Sequence, residues 1–283
     1  MLRNIGLYSQ RSQAKEAPTP SRQSTTLTRC AMRVISVQIE RASRALRRHG
    51  IFTLLKYFMR TTLHRCVRAV TRKYVDWRFD RSHGIDTGGI VPVREMGLDA
   101  RRDAAEQYEA TRPSLFREMI GSLALDCSKF CFVDLGCGKG RALLLAAEAG
   151  FKEIIGVELS PVLSGIAQQN VDRCHGVGKG KPQYRVVCVD AAEYQLPAGP
   201  CVLYLYNPFK GEVLQRVVRT LGTTYEKQGH EIIVLYYNPI WERVLEEANC
   251  LQRVKEARAG TCRYVVYRTP ARATTGVRSK VRD

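Results

Sequence analysis

The sequence contains no run of about 18 or more apolar residues, so no transmembrane helix is expected. Its first stretch, MLRNIGLYSQRSQAKEAPTPSRQ, lacks the continuous apolar core of a secretory signal, and a cytoplasmic protein is expected. There are ten cysteines but no C-x-x-C pair, which argues against a disulfide framework or a structural zinc site. Cys174 stands beside His175, yet no second ligand pair lies at metal spacing. Cys131, Cys188 and Cys201 fall inside apolar, strand-like runs and are expected to be reduced, buried thiols. Acidic residues are scarce at the front. Residues 1–80 hold 17 Lys and Arg against 4 Asp and Glu, a net of +13, whereas the rest of the chain carries only +5 of the total +18. The excess positive charge therefore belongs to an appendage. Such an appendage suits an anionic membrane surface or nucleic acid, or is a solvated arm with no partner. Few aromatic residues interleave with its arginines, as a base-stacking platform would require.

Composition divides the chain into four segments. Residues 1–30, rich in Ser, Thr, Gln and Arg with Pro18 and Pro20, read as a disordered basic arm. Residues 31–99 combine a basic amphipathic helix with a docking loop. Ile51, Leu54, Leu55 and Phe58 recur at helical spacing beside Arg60, Arg65 and Arg68. Such a helix could lie on a membrane surface or pack on the next domain, and a basic, acid-poor start also admits a transit peptide. The stretch DWRFDRSHGIDTGGI at 76–90 then breaks the helix with Gly84, Gly88 and Gly89. Residues 100–270 form the main domain, and 271–283 a basic tail.

Within the main domain, helices are predicted at 100–111 and at 113–124, the latter with Pro113 in its first turn. Apolar β runs follow at 131–135, 153–158, 184–188, 201–206 and 231–236, most of them separated by helical stretches. Two further strands, 251–256 and 261–267, read as a closing antiparallel pair. Strands that alternate with helices imply an α/β fold with a mostly parallel sheet covered on both faces.

The chemistry concentrates at strand ends. The run at 131–135 leads into Asp134-Leu135-Gly136-Cys137-Gly138-Lys139-Gly140, a glycine-rich turn between strand and helix. Without Cβ atoms such a turn lets a ligand approach the backbone closely. The spacing is G-x-G-x-G rather than the dinucleotide G-x-G-x-x-G, and an acid stands two residues before the first glycine. A carboxylate there disfavours a pyrophosphate and favours a cationic ligand. Glu158, followed by Leu159, ends the second strand 22 residues after Gly136, the position of a ribose-binding acid. Asp190, followed by Ala191, ends the third and is placed to accept an exocyclic adenine amine. The fourth strand ends in Asn207-Pro208-Phe209.

These residues together resemble the motifs of the class I S-adenosylmethionine-dependent methyltransferases, over roughly residues 105–268. The resemblance implies a Rossmann-like seven-stranded sheet, mostly parallel with an antiparallel C-terminal strand, and S-adenosyl-L-methionine as cofactor. It assigns Asp134, Gly136, Gly138 and Gly140 to the methionine side, Glu158 to the ribose and Asp190 to the adenine side, with Tyr108, Leu135, Cys137, Leu159, Ala191 and Asn207 also among the cofactor-binding residues. Asn207-Pro208-Phe209 resembles the N-P-P-F/Y motif of amino-methylating members, in which an Asn side chain and a prolyl carbonyl hold the acceptor nitrogen. On this basis Asn207, Pro208 and Phe209 are the candidate catalytic residues, although this chain has a single proline there. Tyr108 through Ser114 resembles, loosely, the segment that closes over the cofactor in Dot1-like lysine methyltransferases. The stretch Asp76–Asp80 with Gly84, Asp86 and Thr87 resembles uncharacterised bacterial methyltransferases and reads as a docked surface loop or a lid. The expected reaction is methyl transfer to an amine nitrogen, a protein lysine or similar. A small-molecule or lipid acceptor is the alternative, and a nucleic-acid-binding protein with a non-catalytic methyltransferase fold is the rival from another class.

Overall fold

A computed structural model describes residues 59, 62–63, 67, 69–98, 105–174 and 181–270. The predicted basic arm, most of the 51–70 helix, the start of the predicted 100–111 helix and the basic tail lie outside the described residues. The chain divides into two compact units at 68/69, and the second, from Ala69 onward, carries the sheet.

Seven strands make that sheet: β3 (Cys131–Leu135), β4 (Glu153–Glu158), β5 (Gln183–Cys188), β6 (Cys201–Tyr206), β7 (Ile232–Tyr237), β8 (Gln252–Ala259) and β9 (Cys262–Arg268). Their order is β5-β4-β3-β6-β7-β9-β8. β3 pairs in parallel with β4 and β6, as do β4 with β5 and β6 with β7, while β9 runs antiparallel to both β7 and β8. This is the Rossmann-like methyltransferase sheet the sequence implied, with β8 and β9 the expected antiparallel pair. β3 and β7 are buried throughout, as central parallel strands must be, and the edge strand β5 is largely not. Cys188, at the end of that edge strand, is exposed; only Cys131 and Cys201, on interior strands, are buried as expected.

Side chains alternate across the sheet into two cores. Phe132, Ile154, Tyr204 and Leu235 pack on one face against α2 (Pro113–Gly121), α3 (Arg141–Glu148) and α4 (Pro161–Cys174). Val133, Ile155, Leu203 and Val234 pack on the other, against α5 (Gly211–Gln228) and α6 (Arg243–Glu246). The chain leaves β3 toward β4 and β5, then returns to β6. The carboxyl ends of β3 and β6 therefore flank the point where the strand order reverses, where open α/β sheets bind ligands.

Two sequence expectations fail upstream of the sheet. Residues 105–111 are not helical. Tyr108–Glu109 forms a short strand, β2, paired with β1 (Ile90–Val91), and Ala105 bridges Phe209. Local helix propensity is overridden by docking of Tyr108, which is buried. The Asp76–Asp80 stretch is no loop: a helix, α1, extends over 69–83 and ends at Gly84 in the left-handed region (φ 67°). Its inward face is tied to α3, with His83 3.3 Å from Glu148 and the Arg141 guanidinium 5.0 Å above the Phe79 ring.

Candidate active site

The glycine turn is built by close approach. Gly136, Gly138 and Gly140 all have positive φ (84°, 55° and 83°). A Cβ on Gly136 would lie 2.3 Å from the Cβ of Pro208, and one on Gly138 would lie 2.1 Å from the Tyr108 ring. The turn is thus pressed between the end of β6 and β2. The backbone N–H groups of Gly136 and Cys137 both donate to the Val157 carbonyl, at 2.8 and 3.1 Å. Glu158 completes the scaffold: its carboxylate accepts from the Gly138 N–H at 2.8 Å and the Ser160 N–H at 2.9 Å.

Above this turn lies a cleft of about 310 Å³. Of the residues expected to hold cofactor, Tyr108, Asp134, Gly136, Cys137, Gly138, Glu158, Leu159, Asp190 and Ala191 line it. Leu135 faces the opposite core, and Gly140 serves as the N-cap of α3, packed on Ala167. Pro208 and Phe209 line the cleft too. Asn207 is buried just behind them in the left-handed region (φ 41°), where its side-chain oxygen accepts from the Tyr236 hydroxyl at 3.3 Å. The Pro208 carbonyl accepts from the Glu106 N–H at 3.4 Å.

The electrostatics favour a cationic ligand. Burial, and then the nearby Glu158, push the Asp134 carboxyl well above the usual carboxylate range. Its side chain makes no hydrogen bond among the described residues, although it lines the cleft and is only 4% exposed. Burial raises Glu158 as well, opposed by the N–H groups of Ser160 and Gly138. A buried carboxylate with no donor of its own is ready for an ammonium or sulfonium group. Asp190 accepts from the Ala192 N–H at 2.9 Å and lies 3.5 Å from Arg216. The chemistry of these donors and acceptors fits S-adenosylmethionine. Among the described residues no group of His, Cys, Asp and Glu could hold a metal ion.

The turn is braced from outside around Arg141, a residue to which the sequence assigned no role. Arg141, the first residue of α3, is 1% exposed. A cation at a helix N-terminus meets an unfavourable dipole, so it needs compensation. Asp76 of α1 supplies it in a short ion pair and Asp80 in a longer one of 3.3 Å, while Nε of Arg141 donates to Thr87 Oγ1 at 2.7 Å. Asp80 also accepts from the N–H groups of Thr87 and Gly88, at 3.0 and 2.7 Å. The Thr87 carbonyl in turn accepts from the Tyr108 hydroxyl at 2.6 Å, holding the ring over Gly138. Lys139 reaches Asp86 at 3.0 Å, and Asn170 bridges the Asp86 and Lys139 carbonyls. Two carboxylates at i and i+4 of α1 therefore fix the loop that fixes the lid over the turn.

Residues 132–224 match the family model described as a methyltransferase domain. The matched stretch, about a third of the chain, takes in the glycine turn and the acids at the ends of β3, β4 and β5, and it marks a methyltransferase-type domain. No curated protein matches the chain. Solved structures similar to it include a ribosomal protein L11 methylase from Lactobacillus delbrueckii subsp. bulgaricus, 18% identical over 54% of this chain and 76% of that one, with a TM-score of 0.40. An RNA methyltransferase from Salinibacter ruber in complex with S-adenosyl-L-homocysteine is also 18% identical, over 59% and 97% of the two chains, with a TM-score of 0.41.

Proposed function

We propose that this enzyme binds S-adenosyl-L-methionine over the glycine turn and methylates an amine nitrogen, a protein lysine or a similar group. Asp134 and the backbone of Gly136–Gly138 would hold the methionine end, Glu158 the ribose hydroxyls and Asp190 the adenine amine. When bound, the cofactor supplies an electrophilic methyl on a sulfonium. The observation that carries the acceptor reading is the wall beside Pro208 and Phe209. Glu106 and Glu109 line the same cleft as Tyr204, Tyr206 and Phe209. Glu106 in this wall would draw in a cationic amine, Glu109 being already paired with Arg72 at 2.6 Å, and buried aromatic surface disfavours the charged form, so that a neutral nitrogen with a free lone pair faces the methyl. Burial, then the Glu109 carboxylate, raise the Tyr206 phenol, which stays protonated as a donor.

Asn207 and the Pro208 carbonyl would orient that nitrogen. Each oxygen already accepts one protein hydrogen bond and keeps a second lone pair for an amine N–H. Catalysis by these groups is orientation rather than proton transfer.

The test is incubation of a cell lysate with enzyme and methyl-labelled cofactor. Label released as methylated lysine from the protein fraction supports the reading; label confined to lipid, nucleic acid or small molecules refutes it. Asn207→Ala should then lower turnover per folded molecule by roughly 30- to 1000-fold, the loss expected for one orienting hydrogen bond. Cofactor affinity should stay nearly intact, and Tyr236→Phe should reproduce only the stability part of the effect.

A further inference from the structure

Helix α1 has two dissimilar faces. Arg72, Asp76, Phe79, Asp80 and His83 turn inward, where both acids of the helix pair with Arg141. The outward face carries Val70, Tyr74 and Trp77, which are 68, 56 and 54% exposed. The exposed cations Lys73, Arg78 and Arg81 stand among them, and no carboxylate of the helix shares that side. The Arg81 guanidinium lies 5.3 Å above the Trp77 ring, and the Tyr74 and Trp77 rings are 6.1 Å apart. Positions 70, 74 and 77 form a single stripe at helical spacing. Exposed large apolar side chains in a row cost solubility and mark a contact surface.

We propose that this face of α1 docks on an anionic lipid bilayer. Charge complementarity names the occupant: the face is purely cationic, and residues 1–80 carry a net of +13. The apolar members select lipid over nucleic acid. Trp and Tyr favour the headgroup boundary, where a ring lies in apolar surroundings and its polar edge stays wet. Arginine and lysine extend alongside to lipid phosphates. An aliphatic Val70 at the head of the stripe has no π-face for a base, but it fits an acyl boundary. Among the described residues no helix is long and apolar enough to cross a membrane, so the contact is one of lying on the surface.

The test uses the full chain and sedimentation with phosphatidylcholine vesicles, with and without phosphatidylserine. Binding is expected only with phosphatidylserine, and it should weaken as salt rises. Trp77→Ala combined with Tyr74→Ala should lower vesicle affinity by at least about tenfold, with thermal unfolding unchanged because both side chains are exposed. Each of Lys73→Glu, Arg78→Glu and Arg81→Glu should cost about fivefold or more, the factor for roughly 1 kcal/mol per basic residue at an anionic surface. In a Trp241→Phe background Trp77 is the sole tryptophan, and its emission should shift to the blue on phosphatidylserine vesicles. Several results would overturn the proposal. They are absence of vesicle binding, unchanged binding by the Tyr74/Trp77 double variant, binding of RNA or DNA duplex in place of vesicles, or a dimer that this double variant abolishes while no vesicle is bound.

Discussion

Gly138→Ala offers a direct test of the way the cofactor turn is held. The new Cβ would sit 2.1 and 2.2 Å from two carbons of the Tyr108 ring, and the position has φ 55°. The left-handed conformation alone costs about 1–2 kcal/mol for a residue with a Cβ. The ring must also move, which forfeits the 2.6 Å bond from Tyr108 to the Thr87 carbonyl, worth about 1 kcal/mol. Together these give about 2–3 kcal/mol, or roughly 4–12 °C in the unfolding midpoint for a unit of this size. A double-mutant cycle separates the two parts. In a Tyr108→Ala background the steric part vanishes, and Gly138→Ala should cost only the backbone term, so the two substitutions should be non-additive by about 1 kcal/mol. The assay is denaturant unfolding of all four proteins, with calorimetry of S-adenosylhomocysteine binding alongside. If Gly138→Ala costs the same in both backgrounds, Tyr108 does not press on the turn and the account of the cleft given above fails.

Glu158→Ala removes the acceptor for the Gly138 and Ser160 N–H groups as well as the proposed ribose acid, so cofactor affinity should fall at least about tenfold; unchanged affinity in calorimetry would move the ribose site elsewhere. Arg141→Met leaves Asp80 without a cation and Asp76 with only Arg72, 3.9 Å away, at the buried end of α3, and chemical denaturation should reveal a loss of about 3–5 kcal/mol; a neutral result would show that the acids need no further partner there. Asp134 sets a pH dependence. Its carboxyl is raised in the free protein and must be ionised to hold a cation, so ligand binding releases a proton. Affinity should therefore climb as pH rises through the raised value and level off above it, whereas Asp134→Asn should bind weakly at every pH; a flat profile for the unaltered protein would refute this role. The same raised carboxyl contributes stability to the free protein that is fully present below the unfolded carboxylate range and lost as pH rises from there toward the folded value.

How legible these features were in the sequence depended on how far apart in the chain their causes lay. The five strands β3 to β7 were visible as apolar runs, because burial on both faces keeps β3, β6 and β7 almost wholly apolar, whereas β8 is largely polar and exposed. The acids at strand tips were visible for a related reason: Asp134, Glu158 and Asp190 follow such runs directly. The 105–111 segment was misread because AEQYEAT has helical propensity, whereas its conformation is set by Val91, Phe209 and Gly138, contacts invisible to a local window. Arg141, directly after the glycine turn, carries no local signal of its role. Its partners lie 61 and 65 residues upstream, and no periodicity links them. One signal was available: Asp76 and Asp80 stand at i and i+4 in a segment otherwise dominated by cations, which places two carboxylates on one helical face in want of a buried positive charge. Arg216, Tyr204 and Tyr206 went unremarked because strand and helix positions alone do not say which side chains reach a cleft.

Helix α1 has one further consequence. Its inward carboxylates grip Arg141 and, through Thr87, the Tyr108 ring, while its outward side meets whatever lies beyond the protein. Events on the two sides share one rigid rod barely four turns long. Should engagement of the outer side shift that rod, the affinity for cofactor changes by some factor, and bound cofactor must change the outer affinity by the identical factor. On the proposed docking, engagement of a surface and readiness of the cleft would be two readings of a single equilibrium.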